Sequence, residues 1–135
     1  MSLTGIRILV LEDSQADFLL IKRRLELAGH SGPMARVDSS EALARALESD
    51  WDVVLFDYEI PGWSFEQKLA SLRKRLPDAP VILVSGTVDE AMALRLLDSG
   101  LTDFVLKDNP ARLPRAVARA VEESANRAAR RSAEH

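Results

Sequence analysis

The sequence predicts an α/β fold with a parallel sheet. Five short apolar runs rich in β-branched residues alternate with amphipathic stretches, and polar side chains collect where those runs end. A chain of 135 residues is long enough for one domain and too short for two. Its apolar content of 47% suits a buried core, and no apolar run is long enough to span a bilayer. The opening Met1-Ser2-Leu3-Thr4-Gly5 does not read as a signal peptide, and no cysteine is present for a disulfide, a thiolate nucleophile or a zinc-thiolate site. A cytoplasmic protein is expected. The net charge of −3 argues against direct binding of nucleic acid.

The elements follow in order. Ile6–Leu11 forms the first strand and ends at Glu12-Asp13. Ser14 opens a helix, with Asp17 as the acidic partner of a loose capping box, Phe18, Ile21 and Leu25 on one stripe, and a stop at Gly29. Met34–Val37 is a weaker strand, followed by a helix from Ser39 or Ser40 that turns Leu43, Ala46 and Leu47 inward. Val53–Phe56 is apolar on both faces, as a central parallel strand should be, and ends at Asp57. After the turn at Pro61-Gly62, Phe65, Leu69, Leu72 and Leu76 recur at helical spacing. Val81–Val84 is a second buried strand, ending at Ser85-Gly86-Thr87. A helix from about Asp89 to Ser99 is closed by Gly100, and Phe104–Leu106 is the last strand, ending at Lys107. Pro110 suits the first turn of the final helix, with Asn109 as its cap.

Right-handed crossovers in such a (βα)₅ chain favour a doubly wound, flavodoxin-like sheet of five parallel strands in the order 2-1-3-4-5. Ligands in such folds sit beyond the carboxyl ends of the strands, near the point where the order reverses. Glu12, Asp13, Asp57, Ser85 and Lys107 all fall on that rim. One acid at a strand end is usually a helix cap or a solvated loop residue. Three acids brought together are costly without a cation, and Lys107 supplies a single positive charge. The available donors are hard oxygens, which suits Mg²⁺, or Mn²⁺, better than zinc. His30, after the helix-ending Gly29, reads as a surface loop residue. Asp13 and Asp57 are expected to bind the ion directly, Glu12 directly or through water, and the backbone carbonyl of Glu59 to complete the set. Asp57 is then placed as a carboxylate nucleophile for a phosphoryl group, whose oxygens Ser85 and Lys107 can contact.

Four stretches in order, each at the end of an expected strand, resemble the receiver domain of two-component response regulators. They are Leu9–Ser14, Val54–Gly62, Val81–Thr87 and Gly100–Lys107, and the likeness spans residues 5–124. The resemblance implies that Asp57 accepts a phosphoryl group from a sensor histidine kinase or a phosphotransfer protein. It implies that Glu12 and Asp13 position Mg²⁺, that Lys107 pairs with the phosphoryl group, and that Ser85 and Phe104 are the switch pair. For Phe104 the simpler account is core packing. The face made by the fourth helix, fifth strand and fifth helix, with Arg112, Arg115 and Arg119, is the expected output surface and a place for a homodimer to form. A signalling phosphoacceptor rather than an enzyme is expected, stand-alone or cut from a longer chain.

Many receivers place proline directly after the lysine, joined by a cis bond. Here Asp108 follows, so a cis bond is not expected there. The Ser85-Gly86-Thr87 and Lys107-Asp108-Asn109-Pro110 variants look most like receivers attached to sensor kinases or other multidomain signalling proteins. Residues 125–135 read as a basic tail or the start of a linker helix. From Pro110 onward six arginines face three acids, which leaves the first 109 residues at −6; the simplest reading of that basic end is a solvated helix face. Three other functions are weighed. A magnesium-dependent phosphohydrolase of the haloacid dehalogenase type would need a D-x-D motif after the first strand, where Glu12-Asp13 stands. A flavodoxin-type cofactor binder would need a neutral phosphate loop in place of Glu12–Asp17. A degenerate receiver serving only as an interaction module is disfavoured by the five competent site residues.

Overall fold

The computed structural model describes residues 2–86 and 89–134. Strands β1 (Ile8–Leu11), β2 (Met34–Val37), β3 (Val53–Phe56), β4 (Val81–Ser85) and β5 (Asp103–Leu106) alternate with helices α1 (Gln15–Leu27), α2 (Ser40–Ala46), α3 (Phe65–Arg75), α4 (Glu90–Leu97) and α5 (Leu113–Ala133). The strands form one parallel sheet in the order β2-β1-β3-β4-β5, as the connection rules predict. Thr87, which ends one of the four receiver-like stretches, lies outside the described residues.

Side-chain alternation divides the core between two faces. Ile8, Val10, Val53, Leu55, Ile82, Val84 and Val105 pack against Ile21 and Leu25 of α1 and Leu113 and Val117 of α5. Leu9, Leu11, Val54, Phe56, Val81 and Leu83 pack on the other face, against Leu43 of α2, Phe65, Leu69 and Leu72 of α3, and Leu96 of α4. The β1, β3 and β4 strands are buried throughout, which explains why they read as unbroken apolar runs.

Local capping follows the sequence closely. Ser14, Ser39, Ser64 and Asp89 each accept a hydrogen bond from the backbone N–H three residues on, which starts α1, α2, α3 and α4. Gly29 and Gly100 take positive φ just beyond α1 and α4, where a side chain would be strained. Two expectations are revised. Pro110 opens a short 3₁₀ turn (Pro110–Arg112) rather than α5 itself, and the Asn109 side chain makes no capping bond. His30 is buried, not a surface residue: the chain folds back beneath the start of β1, and His30 Nε2 lies 2.9 Å from the carbonyl oxygen of Ile6. α5 runs unbroken to Ala133, so residues 125–133 are helical, one of the two forms expected of them. No peptide bond among the described residues is cis, and none of their helices is long and apolar enough to cross a membrane.

Candidate metal and phosphoryl site

Three residues share a position in the pleat. Glu12 follows Val10 by two, Asp57 follows Leu55, and Lys107 follows Val105; all three apolar residues lie on the α1/α5 face. Continued alternation therefore sends Glu12, Asp57 and Lys107 to the same side of the sheet's carboxyl edge. Backbone bonds fix that edge: Glu12 N–H donates to Val37 O, Asp57 N–H to Leu11 O, and Lys107 N–H to Ser85 O, each at 3.0 Å. Arg36 of β2 anchors the turn after β1 by donating to the carbonyl oxygen of Glu12 at 3.2 Å.

The carboxylates meet as the sequence suggests. Glu12, Asp13 and Asp57 each place an oxygen within 4.8 Å of the others. Glu12 and Asp57 are buried at 1% and 7% exposure, whereas Asp13 is open to solvent. Lys107 Nζ donates to Asp17 Oδ2 at 2.7 Å, to Glu12 Oε1 at 2.9 Å and to Asp57 Oδ2 at 3.2 Å. The other Asp57 oxygen, Oδ1, accepts the Glu59 N–H at 3.2 Å, which orients the carboxylate from its own turn.

Sequence reading missed the part played by Asp17. It gave that residue a capping role, and the backbone N–H of Asp17 does bond to Ser14 Oγ. Its carboxylate, however, lies against Lys107. The signal was available in principle, because position 17 sits in the first turn of a helix that starts at the acidic rim. Only the packing of α1 beside β5 shows which way it turns.

Burial is the main cause that pushes the Glu12 carboxyl up to about 8, reinforced by its hydrogen bond to Asp57 and that residue's charge, with Lys107 opposing. For Lys107, burial acts to lower the ammonium. Its bonds to Asp17 and Glu12, with the charges of Asp57 and Glu12, outweigh burial and raise it above the ordinary lysine range. The Lys107 bond also holds the Asp17 carboxyl below its usual value, against a smaller effect of burial.

This donor set fits a divalent ion. Glu12 Oε2 is buried with no hydrogen-bond partner, an acceptor that a cation could satisfy. Among the described residues, Lys107 is the one cation within hydrogen-bond reach of these carboxylates, too little to balance them. Ser85 ends β4 and is buried. Phe104 pairs in register with Leu83, so Ser85, two residues beyond Leu83, points to the same face as Phe104. Phe104 itself is half-buried against the core of the α2/α3/α4 face.

The doubly wound parallel sheet thus carries an acidic pocket at its carboxyl edge, with the lysine that follows β5 reaching into it. Residues 8–118 match the profile of the response regulator receiver domain, and the chain belongs to that family. Receiver domains are signalling phosphoacceptors; histidine kinases or phosphotransfer proteins phosphorylate them, and they bind Mg²⁺ in their acidic pocket.

Among curated relatives, the chain is 31% identical over 110 residues to a protein-glutamate methylesterase/protein-glutamine glutaminase of Caulobacter vibrioides, covering 80% of this chain and 32% of that protein. It is 32% identical to the transcriptional regulatory protein TcrA of Mycobacterium tuberculosis, covering 77% of this chain and 41% of the relative. The chemotaxis protein CheY of Thermotoga maritima is 25% identical, with 76% of this chain and 86% of that protein covered. The chain thus spans only a third or so of several longer relatives. In three dimensions it resembles a CheY-like receiver domain from Methanospirillum hungatei, with a TM-score of 0.77 at 23% identity and coverage of 91% and 98% of the two chains, a likeness of fold.

Proposed function

We propose that this chain is a phospho-accepting receiver in which Asp57 takes a phosphoryl group from a histidine kinase or phosphotransfer protein. One observation carries the proposal: a buried aspartate at the switch point, with two further carboxylates beside it and a lysine on its Oδ2. In this reading Glu12, Asp13, Asp57 and the Glu59 carbonyl hold Mg²⁺, or Mn²⁺. The bound ion supplies the positive charge that offsets repulsion between Asp57 and the incoming phosphoryl oxygens.

Asp57 forms a P–O bond as the donor's P–N bond breaks, and the departing electron pair stays on the imidazole nitrogen, which takes a proton. The Glu59 N–H bond to Oδ1 restricts rotation of the attacking carboxylate. Lys107 then exchanges a carboxylate contact for a phosphoryl oxygen, and the Ser85 hydroxyl approaches the same group. Movement of Ser85 frees space on the face it shares with Phe104, and the ring turns inward to fill it. The change reaches the surface of α4, β5 and α5, where Arg112 donates to the Phe104 carbonyl at 2.7 Å. That surface is our proposed output and homodimer face.

A protein donor is supported by an apolar groove beside Lys107. It has a volume of about 370 Å³ and is lined by Leu20, Ile21 and Leu27 of α1 together with Pro110 and Leu113. Leu20 and Leu27 are 67% and 73% exposed, more than isolated surface leucines require.

The deciding experiment is incubation with acetyl phosphate and Mg²⁺, read by intact mass. A gain of about 80 Da is expected, absent without Mg²⁺ and absent in Asp57→Asn. No gain in the wild type would favour the degenerate, interaction-only reading. Sustained turnover of a chromogenic phosphomonoester would instead support a phosphohydrolase.

A further inference from the structure

Glu12, Asp13 and Asp57 gather at the carboxyl edge of the sheet, and a group of arginines gathers at the opposite edge. α5 has 21 residues and is about 31 Å long at 1.5 Å per residue, more than twice the length of the strands it covers. Its second half extends past the receiver-matched residues and over the amino ends of β4 and β5. This overhang is tied down rather than loose. Ser124 Oγ donates to the Asp78 carbonyl at 2.6 Å, and Arg131 forms an ion pair with the Asp78 carboxylate.

Ser124, Arg127 and Arg130 recur at intervals of three along α5, Arg131 follows Arg127 by four, and Glu134 caps the helix; all five border the same region. These residues face the turn between α3 and β4 and line an open cleft of about 550 Å³, to which Arg73, Pro77, Pro80 and Thr102 also contribute. Arg127, Arg130 and Arg131 are exposed to solvent, in keeping with a solvated helix face, and Arg131 in addition pairs with Asp78.

Positive charge in the cavity is under-compensated. Four arginines line it against Asp78 and Glu134, and Arg131 already engages Asp78. Among the described residues, neither Arg127 nor Arg130 forms a salt bridge. Arg73 donates Nη1 to Ala79 O at 3.0 Å, but its Nε is buried with no acceptor. A Cβ built on Gly100 would come within 3.2 Å of that Nε, so glycine there lets the guanidinium lie close to the chain. Burial, followed by the charge of Arg127, depresses the Arg73 guanidinium below its ordinary value. Helix C-termini favour cations, which explains arginine at the ends of α3 and α5 taken singly. In a parallel α/β fold both helices end at the edge where the strands begin, which brings their arginines to one cleft.

We infer that this cavity, at the end of the sheet away from Asp57, binds a compact polyphosphate anion through Arg73, Arg127 and Arg130. Planar guanidinium forks match phosphate oxygens, and two such groups from different helices can bracket adjacent phosphates. The Thr102 hydroxyl accepts the Val81 N–H at 3.3 Å, which leaves its proton to donate to a ligand. Among the described residues no aromatic side chain lines the cleft, so they offer no platform for a nucleobase. The ligand is therefore a diphosphate or a small phosphorylated metabolite, and binding it would fasten the α5 overhang to the domain.

The test is calorimetric titration of the full chain with pyrophosphate, at low ionic strength and without Mg²⁺. One saturable site is expected, weakened about tenfold or more in Arg127→Ala/Arg130→Ala. These exposed helical positions accept alanine without loss of helix. Binding should be unchanged in Arg115→Ala, outside the cavity, and in Asp57→Asn. Amide NMR shifts should concentrate at Asp78, Gly100 and Thr102. The inference is overturned by no saturable binding, by equal affinity for sulfate, by an equal loss in Arg115→Ala, or by loss in Asp57→Asn.

Discussion

Lys107 bonds three carboxylates at once, and the proposed phosphorylation of Asp57 would require it to turn toward a fourth acceptor. The closest of its present partners is Asp17, at 2.7 Å. On the proposed function, that contact would favour the unphosphorylated arrangement of Lys107 and make the phosphorylated one less favourable. Asp17→Asn keeps the shape of the side chain and removes its charge. The lysine and aspartate side chains are 26% and 38% exposed, so solvent screens the pair well below a buried ion pair. A contribution of about 0.5–1 kcal/mol is appropriate, which converts to a roughly two- to fivefold gain in affinity for a phosphoryl mimic. The assay is titration with beryllium fluoride and Mg²⁺, followed by tryptophan fluorescence. Trp63 is a suitable reporter, because its ring lies 6.2 Å from that of Phe56, the residue before Asp57. Loss of the acidic first-turn charge will weaken α1 slightly, but that effect should persist in a Lys107→Ala background. The affinity gain should vanish there. Unchanged or weaker binding in Asp17→Asn would refute the reasoning and show that Asp17 holds Lys107 ready for the phosphoryl group.

Three further outcomes are expected. Phe104→Ala should leave the phosphorylated mass fraction nearly unchanged while reducing the beryllium fluoride-dependent change in hydrogen exchange along α4 and β5; a full response would remove Phe104 from the switch. Metal-free protein should lose stability as pH rises, because the Glu12 carboxyl is raised from 4.5 to about 8 in the folded state. That contribution is fully present below the unfolded value and disappears as pH passes through the folded one. The melting temperature in EDTA should therefore fall between about pH 4.5 and 8, and Glu12→Gln should flatten the decline. Lys107, also raised, keeps its stabilising contribution throughout that window and loses it only at higher pH. Leu69→Ala, which empties a fully enclosed position between α3 and the sheet, should cost about 2–5 kcal/mol in urea denaturation; a cost under about 1 kcal/mol would mean that the site collapses around the smaller side chain.

Elements and site differ in how legible they were, for a physical reason. Strands buried on both faces leave long apolar runs, so Val53–Phe56 and Val81–Val84 identify themselves without their partners. Serine and aspartate caps are equally local: Ser14, Ser39 and Asp89 bond to backbone only three residues away. Alternation beyond the strand ends then brings Glu12, Asp57 and Lys107 together, because a parallel sheet keeps its carboxyl ends on one edge. Those parts needed only short-range rules and the handedness of the crossovers.

Tertiary packing decided the rest. His30 follows a helix-ending glycine and looks exposed, yet the return of the chain under β1 buries it against Ile6. Asp17 looks like a cap partner, yet the seating of α1 beside β5 turns its carboxylate onto Lys107 across 90 residues of chain. The arginines after residue 124 stay exposed, as a solvated face would, but only the length of α5 shows that it carries Arg131 past the sheet and onto Asp78. In each case the local sequence permits several side-chain directions of similar energy. Which one prevails depends on a group far away in sequence, whose position is fixed only when the helices settle on the sheet.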